Sequence, residues 1–108
     1  MVPFVELTSQ FRSIEGEIRA AVDRVLERGW FIFGKEHDAF EEEFAQYVGT
    51  RFARGVGSGT EALHLALLAV GVQPGDEVIT AANTCVPTVA GIGATGARIV
   101  LVDIDPAT

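Results

Sequence analysis

The sequence predicts an α/β protein in which two N-terminal helices precede a β-α-β-α-β segment. Residues 1–50 carry apolar side chains at helical spacing, whereas from Arg51 onward short β-branched runs alternate with longer helical runs. Because this alternation is typical of parallel strands joined by crossover helices, we expect residues 51–108 to begin a parallel sheet. The chain is therefore divided into an N-terminal helical segment, 1–50, and the first part of an α/β domain, 51–108.

The first element is predicted to be an amphipathic helix that begins at an N-cap, Ser13, and stops at Gly29. Its apolar face is formed by Ile14, Ile18, Val22, Val25 and Leu26.

A second helix is predicted from about Glu36 to Val48, with Gly49 as its stop. Its apolar face is formed by Phe40, Phe44, Tyr47 and Val48. The three consecutive glutamates at 41–43 favour a solvated face.

The segment after Arg51 is predicted to contain three strands and two helices. We expect strands at 53–56, 78–81 and 98–103, and helices at 60–70 and 88–94. The first of these helices is apolar nearly all round, which predicts burial on most sides. The last strand is rich in β-branched residues and should be buried on both faces. Because such a strand needs neighbours on both sides, we expect the chain to be a piece of a larger protein.

The composition excludes several classes of function. The formal net charge of −7 argues against a nucleic-acid groove and disfavours an anionic membrane surface. The single cysteine excludes an internal disulfide. No basic stretch leads into an apolar run at the start, and the longest apolar run, near Leu65 to Val70, is too short to span a bilayer. We therefore expect a soluble, cytoplasmic protein.

The turn Gly57–Thr60 lies where a strand-like run gives way to a helix-like run. Free N–H groups, the positive end of a helix and two hydroxyls would together form a cup for an anion. A Walker A loop is excluded because no lysine follows, and a dinucleotide fingerprint fails because position 60 is threonine. Two interpretations remain. The turn is either a cup for a monophosphate or an ordinary helix start, in which Ser58 and Thr60 only accept hydrogen bonds from backbone N–H groups.

The loop Asn83–Thr88 follows the second predicted strand and should reach the same sheet edge as the turn at 57–60. The alternative is that this loop is a plain connection between the strand and the next helix. Cys85 within it is predicted to be a packed thiol rather than a nucleophile, because no partner base is evident.

The remaining polar residues have structural interpretations. Asp103 and Asp105 favour a turn at a strand end over a metal site, so no metal site is predicted. His64 is interpreted as a packed histidine and His37 as a helix-surface residue. The aromatic run from Trp30 to Phe33 is either core or a patch that meets another subunit.

The chain resembles the DegT/StrS-type aminotransferases over nearly its whole length. The resemblance rests on segments that occur in the family's order: 29–34, 40–49, 57–67, 74–79, 83–88 and 96–105. The family comprises pyridoxal-phosphate (PLP) enzymes of fold type I that aminate nucleotide-linked keto-sugars. The resemblance implies that residues 51–108 begin the large-domain sheet of such an enzyme, which this chain leaves incomplete.

The resemblance also implies site residues. Ser58, Gly59 and Thr60 would hold the cofactor phosphate. The position of Cys85 is often an aromatic residue that stacks on the pyridine ring, so here either a thiol packs against the ring or another residue covers that face. The family's Schiff-base lysine and its ring-nitrogen aspartate lie beyond residue 108, and Lys35 does not match the lysine position. No catalytic residue is therefore assigned, and the 108 residues alone are expected to be inactive.

The implied function is an aminotransferase reaction in which an amino acid, glutamate or glutamine, donates its amine to a nucleotide-linked keto-sugar. Such enzymes usually work as homodimers, and Trp30–Gly34 is a candidate contact. Two alternatives remain open: a dehydratase of the same family, in which histidine replaces the lysine, and a non-catalytic phosphate-binding α/β module.

Overall fold

The structure is a computed structural model of the chain, and it describes residues 3–107. These residues form four helices and two strands, in the order α1, α2, α3, β1, α4 and β2. They divide into two compact units, Met1–Arg54 and Gly55–Thr108. The first unit contains α1 and α2, and the second contains the sheet with α3 and α4.

Helix α1 spans Thr8–Arg28 and begins five residues before the predicted N-cap. Its first turn is held by Glu6, whose Oε1 accepts a hydrogen bond from the N–H of Ser9 at 2.9 Å. Ser13 instead lies inside the helix, where its Oγ donates to the carbonyl of Gln10 at 2.7 Å. The N-cap prediction is wrong because an upstream carboxylate supplies the acceptor that the helix start requires. The predicted stop at Gly29 is confirmed, since its φ of 69° is left-handed.

Helix α2 spans Lys35–Val48 and ends at Gly49, as predicted. The predicted solvated face at 41–43 is wrong for one residue, because Glu41 is only 8% exposed. Burial of this carboxylate is tolerated because Arg54 donates to its Oε2 at 2.7 Å.

The second unit confirms a parallel α/β arrangement. It contains α3 at Gly59–Ala69, β1 at Glu77–Ala81, α4 at Val86–Gly93 and β2 at Arg98–Val102. The two strands pair in parallel, from Glu77 opposite Arg98 to Ala81 opposite Val102. Helix α4 packs against both strands, and α3 packs against α4. This order matches the α/β class predicted from the alternating pattern.

The predicted strand at 53–56 does not form in the described part of the chain. An extended segment becomes a strand only when a neighbour pairs with its backbone. The sheet of residues 3–107 contains only β1 and β2, and residues 53–56 pair with neither of them. The observed order is therefore α-β-α-β after residue 55.

The predicted burial of α3 and of the last strand is also wrong for this chain. Three leucines of α3 are 40–45% exposed, namely Leu63, Leu65 and Leu68. In β2, Leu101 is 57% exposed. An apolar pattern indicates which surface can be covered, but burial also needs an element to cover it. Across residues 3–107 the buried apolar residues are Ala45, Ile92 and Ala97, which are 3–8% exposed.

Candidate cofactor site

The start of α3 is fixed by two reciprocal hydrogen bonds. Ser58 has extended backbone dihedrals and is the N-cap, and its Oγ accepts a hydrogen bond from the N–H of Glu61 at 3.2 Å. The Glu61 side chain folds back, and its Oε2 accepts a hydrogen bond from the N–H of Gly57 at 2.8 Å. This arrangement is close to a capping box, which the S-x-x-E spacing signals in a sequence. The role of Glu61 was not predicted from the sequence.

Several donors at this turn remain available to a ligand. The amides of Gly59 and Thr60 belong to the first turn of α3, so helix geometry gives them no acceptor within the helix. Neither amide donates to a protein acceptor within residues 3–107. The Ser58 hydroxyl accepts one bond and still has its own O–H to donate. A Cβ added at Gly59 would meet nothing within 4 Å, so the space beside these donors is open.

This donor set fits a phosphate group. Amides and hydroxyls converge at the positive end of a helix, where an anion is stabilised. Glu61 is an opposing feature, because its carboxylate places a negative charge at the same turn. The sequence-predicted residues Ser58, Gly59 and Thr60 therefore lie together at one helix terminus.

Cys85 lies at the start of the other helix of this unit. It occupies the N-cap position of α4, with Pro87 in the first turn. The thiol is exposed, so the prediction that it is packed is wrong, because the loop after β1 leaves it at the surface. Its Sγ lies 4.0 Å from the Oγ1 of Thr88, and that hydroxyl accepts a hydrogen bond from Thr84 at 2.8 Å.

The two predicted parts of the site lie on helices that contact each other. Gly91 of α4 faces the carbonyl of Thr60 and the Cβ of Leu63 in α3. Cys85 precedes Gly91 by six residues, which corresponds to roughly 9 Å along the axis of a helix. Cys85 is therefore separated along α4 from the point at which that helix contacts Thr60.

The other polar candidates have local structural roles. Asp103 accepts a hydrogen bond from the N–H of Ile104 at 2.9 Å, and Asp105 accepts one from Ala107 at 2.8 Å. These contacts agree with the predicted turn. Within residues 3–107, no three histidine, cysteine, aspartate or glutamate side chains are grouped as metal ligands.

The two histidines are both half-buried. His64 lies on α3, where its backbone nitrogen faces Gly91. His37 does not lie on an open helix surface as predicted, because its Nε2 is 3.4 Å from the Oε1 of the buried Glu41. The resulting cluster of His37, Glu41 and Arg54 was not predicted from the sequence, because Arg54 lies 13 residues from Glu41 in the chain.

Helix α1 is the longest helix of the described residues, and it is amphipathic rather than uniformly apolar. Within residues 3–107, no helix combines the length and the apolar character that crossing a bilayer requires.

The chain is similar in sequence to members of one family of aminotransferases. Residues 12–108 match the family model of the DegT/DnrJ/EryC1/StrS aminotransferase family. The chain is 43% identical over 105 residues to the dTDP-3-amino-3,6-dideoxy-alpha-D-galactopyranose transaminase of Aneurinibacillus thermoaerophilus. That alignment covers 97% of this chain and 29% of the relative, so the chain spans less than a third of that relative's length.

Two solved structures resemble the chain in fold as well as sequence. One is S. venezuelae DesV in complex with a ketimine intermediate, with 42% identity, a TM-score of 0.89, and coverage of 96% of this chain and 28% of that one. The other is a GDP-4-keto-6-deoxymannose-3-dehydratase with a trapped PLP-glutamate geminal diamine, with 30% identity and a TM-score of 0.74. It covers 81% of this chain and 24% of that one. The family match and these likenesses together show that the chain belongs to the DegT/DnrJ/EryC1/StrS aminotransferase family.

Proposed function

We propose that the protein carrying this chain is a PLP-dependent aminotransferase that transfers an amino group from an amino acid to a nucleotide-linked keto-sugar. The observation that carries the proposal is the open set of donors at the start of α3, in a chain that belongs to an aminotransferase family. The substrate class is supported by the name of the dTDP-sugar transaminase that is 43% identical to this chain.

Ser58, Gly59 and Thr60 are proposed to hold the phosphate of PLP. The amides of Gly59 and Thr60 and the two hydroxyls would donate to the phosphate oxygens, and the dipole of α3 would favour their negative charge. Bound PLP supplies an electron sink that permits an amino group to pass between carbon skeletons. The chain's own part in the reaction is to bind this cofactor at one end and to fix its orientation.

Cys85 is proposed to line the ring side of the same pocket. Its exposed position at the start of α4 leaves it accessible to a ligand. The proposed phosphate donors lie on the other helix, at the start of α3. A thiol has no aromatic face, so it would contact the ring edge or face by packing rather than by stacking.

The chemical groups that move protons are not assigned to this chain. Lys35 starts α2, and its place in the sequence does not match the lysine position of the family. We therefore propose that residues 1–108 supply cofactor-binding groups but no catalytic residue, and that they are inactive alone.

Glutamate or glutamine is the proposed amine donor, and the dehydratase structure with its PLP-glutamate adduct is consistent with glutamate. A cytoplasmic homodimer is the proposed state. Its candidate contact is the segment Trp30–Gly34, in which Phe31, Ile32 and Phe33 are 67–73% exposed. Replacing Ile32 by glutamate should shift the protein from dimer to monomer in sedimentation velocity, and an unchanged dimer would contradict this contact.

The proposed function is tested on the intact protein that carries this chain. PLP should bind with an absorbance change, and glutamate with a dTDP-linked keto-sugar should give an aminated sugar detected by mass spectrometry. Loss of water from the sugar without amination would instead indicate the dehydratase alternative. Binding of inorganic phosphate, with no preference for PLP and no reaction, would indicate the non-catalytic phosphate-binding module.

A further inference from the structure

Helices α3 and α4 meet at a glycine that leaves no room for a side chain. Gly91 is buried in α4. A Cβ at this position would lie 3.1 Å from the carbonyl oxygen of Thr60 and 3.1 Å from the Cβ of Leu63. It would also lie 3.4 Å from the backbone nitrogen of His64. Non-bonded carbon contacts are optimal at about 3.5–4.0 Å, so a side chain here would force the helices apart.

Two of the atoms that Gly91 faces are backbone atoms, so a change of side-chain rotamer cannot relieve the contact. The carbonyl of Thr60 and the nitrogen of His64 cannot turn away by changing a rotamer. Relief of the contact therefore requires a shift of the first two turns of α3 relative to α4. The amides of Gly59 and Thr60 lie in the first of these turns.

From this geometry we propose that Gly91 is a positioning residue for the cofactor phosphate, acting through Thr60. The proposal rests on the proposed function, because it assigns the phosphate to the turn at Ser58–Thr60. The absence of a side chain at Gly91 sets the depth at which α3 lies against α4. That depth sets where the phosphate donors of α3 stand relative to the ring side of the pocket, which begins at Cys85 of α4.

The test compares Gly91→Ala with Gly93→Ala in the intact protein. Gly93 belongs to the same helix, but a Cβ there would meet only the Cδ1 of Ile99, at the ordinary contact distance of 3.9 Å. Dissociation constants are measured for PLP and for pyridoxal, which lacks the phosphate. We expect Gly91→Ala to raise the dissociation constant of PLP about tenfold and to change that of pyridoxal less than twofold. The reason is that about one hydrogen bond is lost, and it is a bond to the phosphate. Gly93→Ala should leave both dissociation constants unchanged.

Each other outcome has a defined meaning. Equal weakening of PLP and pyridoxal, or no change in either, would overturn the positioning role of Gly91. A wild-type protein that binds PLP no better than pyridoxal would instead overturn the proposed function. If Gly91→Ala does not fold, Leu63→Ala is measured. It keeps the Cβ that faces Gly91 but removes the apolar atoms beyond it, and because Leu63 of α3 and Ile92 of α4 line one cavity, this loosens the packing of the two helices without a clash. It should likewise weaken PLP more than pyridoxal, and an unchanged ratio of the two affinities would overturn the proposal.

Discussion

The Ser58 hydroxyl and the Glu61 backbone are joined by a hydrogen bond of 3.2 Å that closes the first turn of α3. The Glu61 carboxylate returns to the N–H of Gly57 at 2.8 Å. Both hydrogen bonds join groups of the chain itself, so the geometry of the turn does not depend on contacts to a ligand, and the donors of Gly59 and Thr60 remain directed outward. A preformed donor set of this kind costs little ordering when it binds an anion.

Replacing Ser58 by alanine should weaken both the helix and the cofactor site. Loss of an N-cap hydroxyl costs about 1 kcal/mol of unfolding free energy, measured by urea denaturation of the intact protein. Loss of a hydrogen-bond donor to the phosphate should raise the dissociation constant of PLP about tenfold. Ser13→Ala is the matched control, because Ser13 lies inside α1 and is not a cap. It should change stability by less than about 0.5 kcal/mol, and an equal loss in both variants would contradict the capping role.

Replacing Glu61 by glutamine should strengthen phosphate binding. The amide oxygen of glutamine can still accept from the N–H of Gly57, but the negative charge at the turn is removed. Relief of a solvent-exposed like-charge interaction is worth about 0.5–1 kcal/mol, so the dissociation constant of PLP should fall about two- to fivefold. Fluorescence titration measures this effect, with Glu17→Gln in α1 as the control. Weaker PLP binding in Glu61→Gln would show that the carboxylate does not oppose the phosphate.

Replacing Arg54 by alanine should destabilise the first unit. Glu41 is only 8% exposed, and Arg54 donates to its carboxylate at 2.7 Å. Removing one partner of a buried acceptor costs about 1–3 kcal/mol. Arg19→Ala is the control, because the pair of Arg19 with Glu15 is exposed and should contribute about 0–1 kcal/mol. Equal unfolding free energies of the two variants would contradict the role assigned to the Arg54 pair.

The link between α1 and α2 should contribute stability that depends on pH. A hydrogen bond from the backbone of Glu36 itself, followed by the Arg28 guanidinium, holds the pKa of Glu36 below its usual value of 4.5. Because the folded-state pKa is lowered, the stabilisation is present above the unfolded-state value and is lost as pH falls through the folded-state value.

Glu36→Gln should therefore lower the unfolding midpoint relative to wild type near neutral pH, and this difference should shrink in acid below the usual value of 4.5. Thermal denaturation across that range measures it. Arg28→Ala should remove only part of the pH-dependent difference, because the backbone hydrogen bond remains. A difference of constant size across the range would contradict the lowered pKa.

The sequence predicted the elements whose signals are local. Gly49 ends α2 because glycine adopts the left-handed conformation at a helix stop, and its φ is 80°. The turn at Ser58–Thr60 was also predicted from a local signal, because a serine between two glycines marks a helix start within four residues. The Ser13 cap failed although it is a local signal, because Glu6 offered a competing acceptor further upstream.

Only the tertiary structure decided the relationships that join distant residues. The amino-acid sequence by itself determined where helices stop, which segments are apolar and which serine starts α3, because each depends on neighbours a few residues apart. The pairing of Arg54 with Glu41, the absence of a strand at 53–56 and the contact of Gly91 with Thr60 depend on which elements meet in space. Such contacts follow from packing and from the availability of a partner strand, and a one-dimensional pattern records neither.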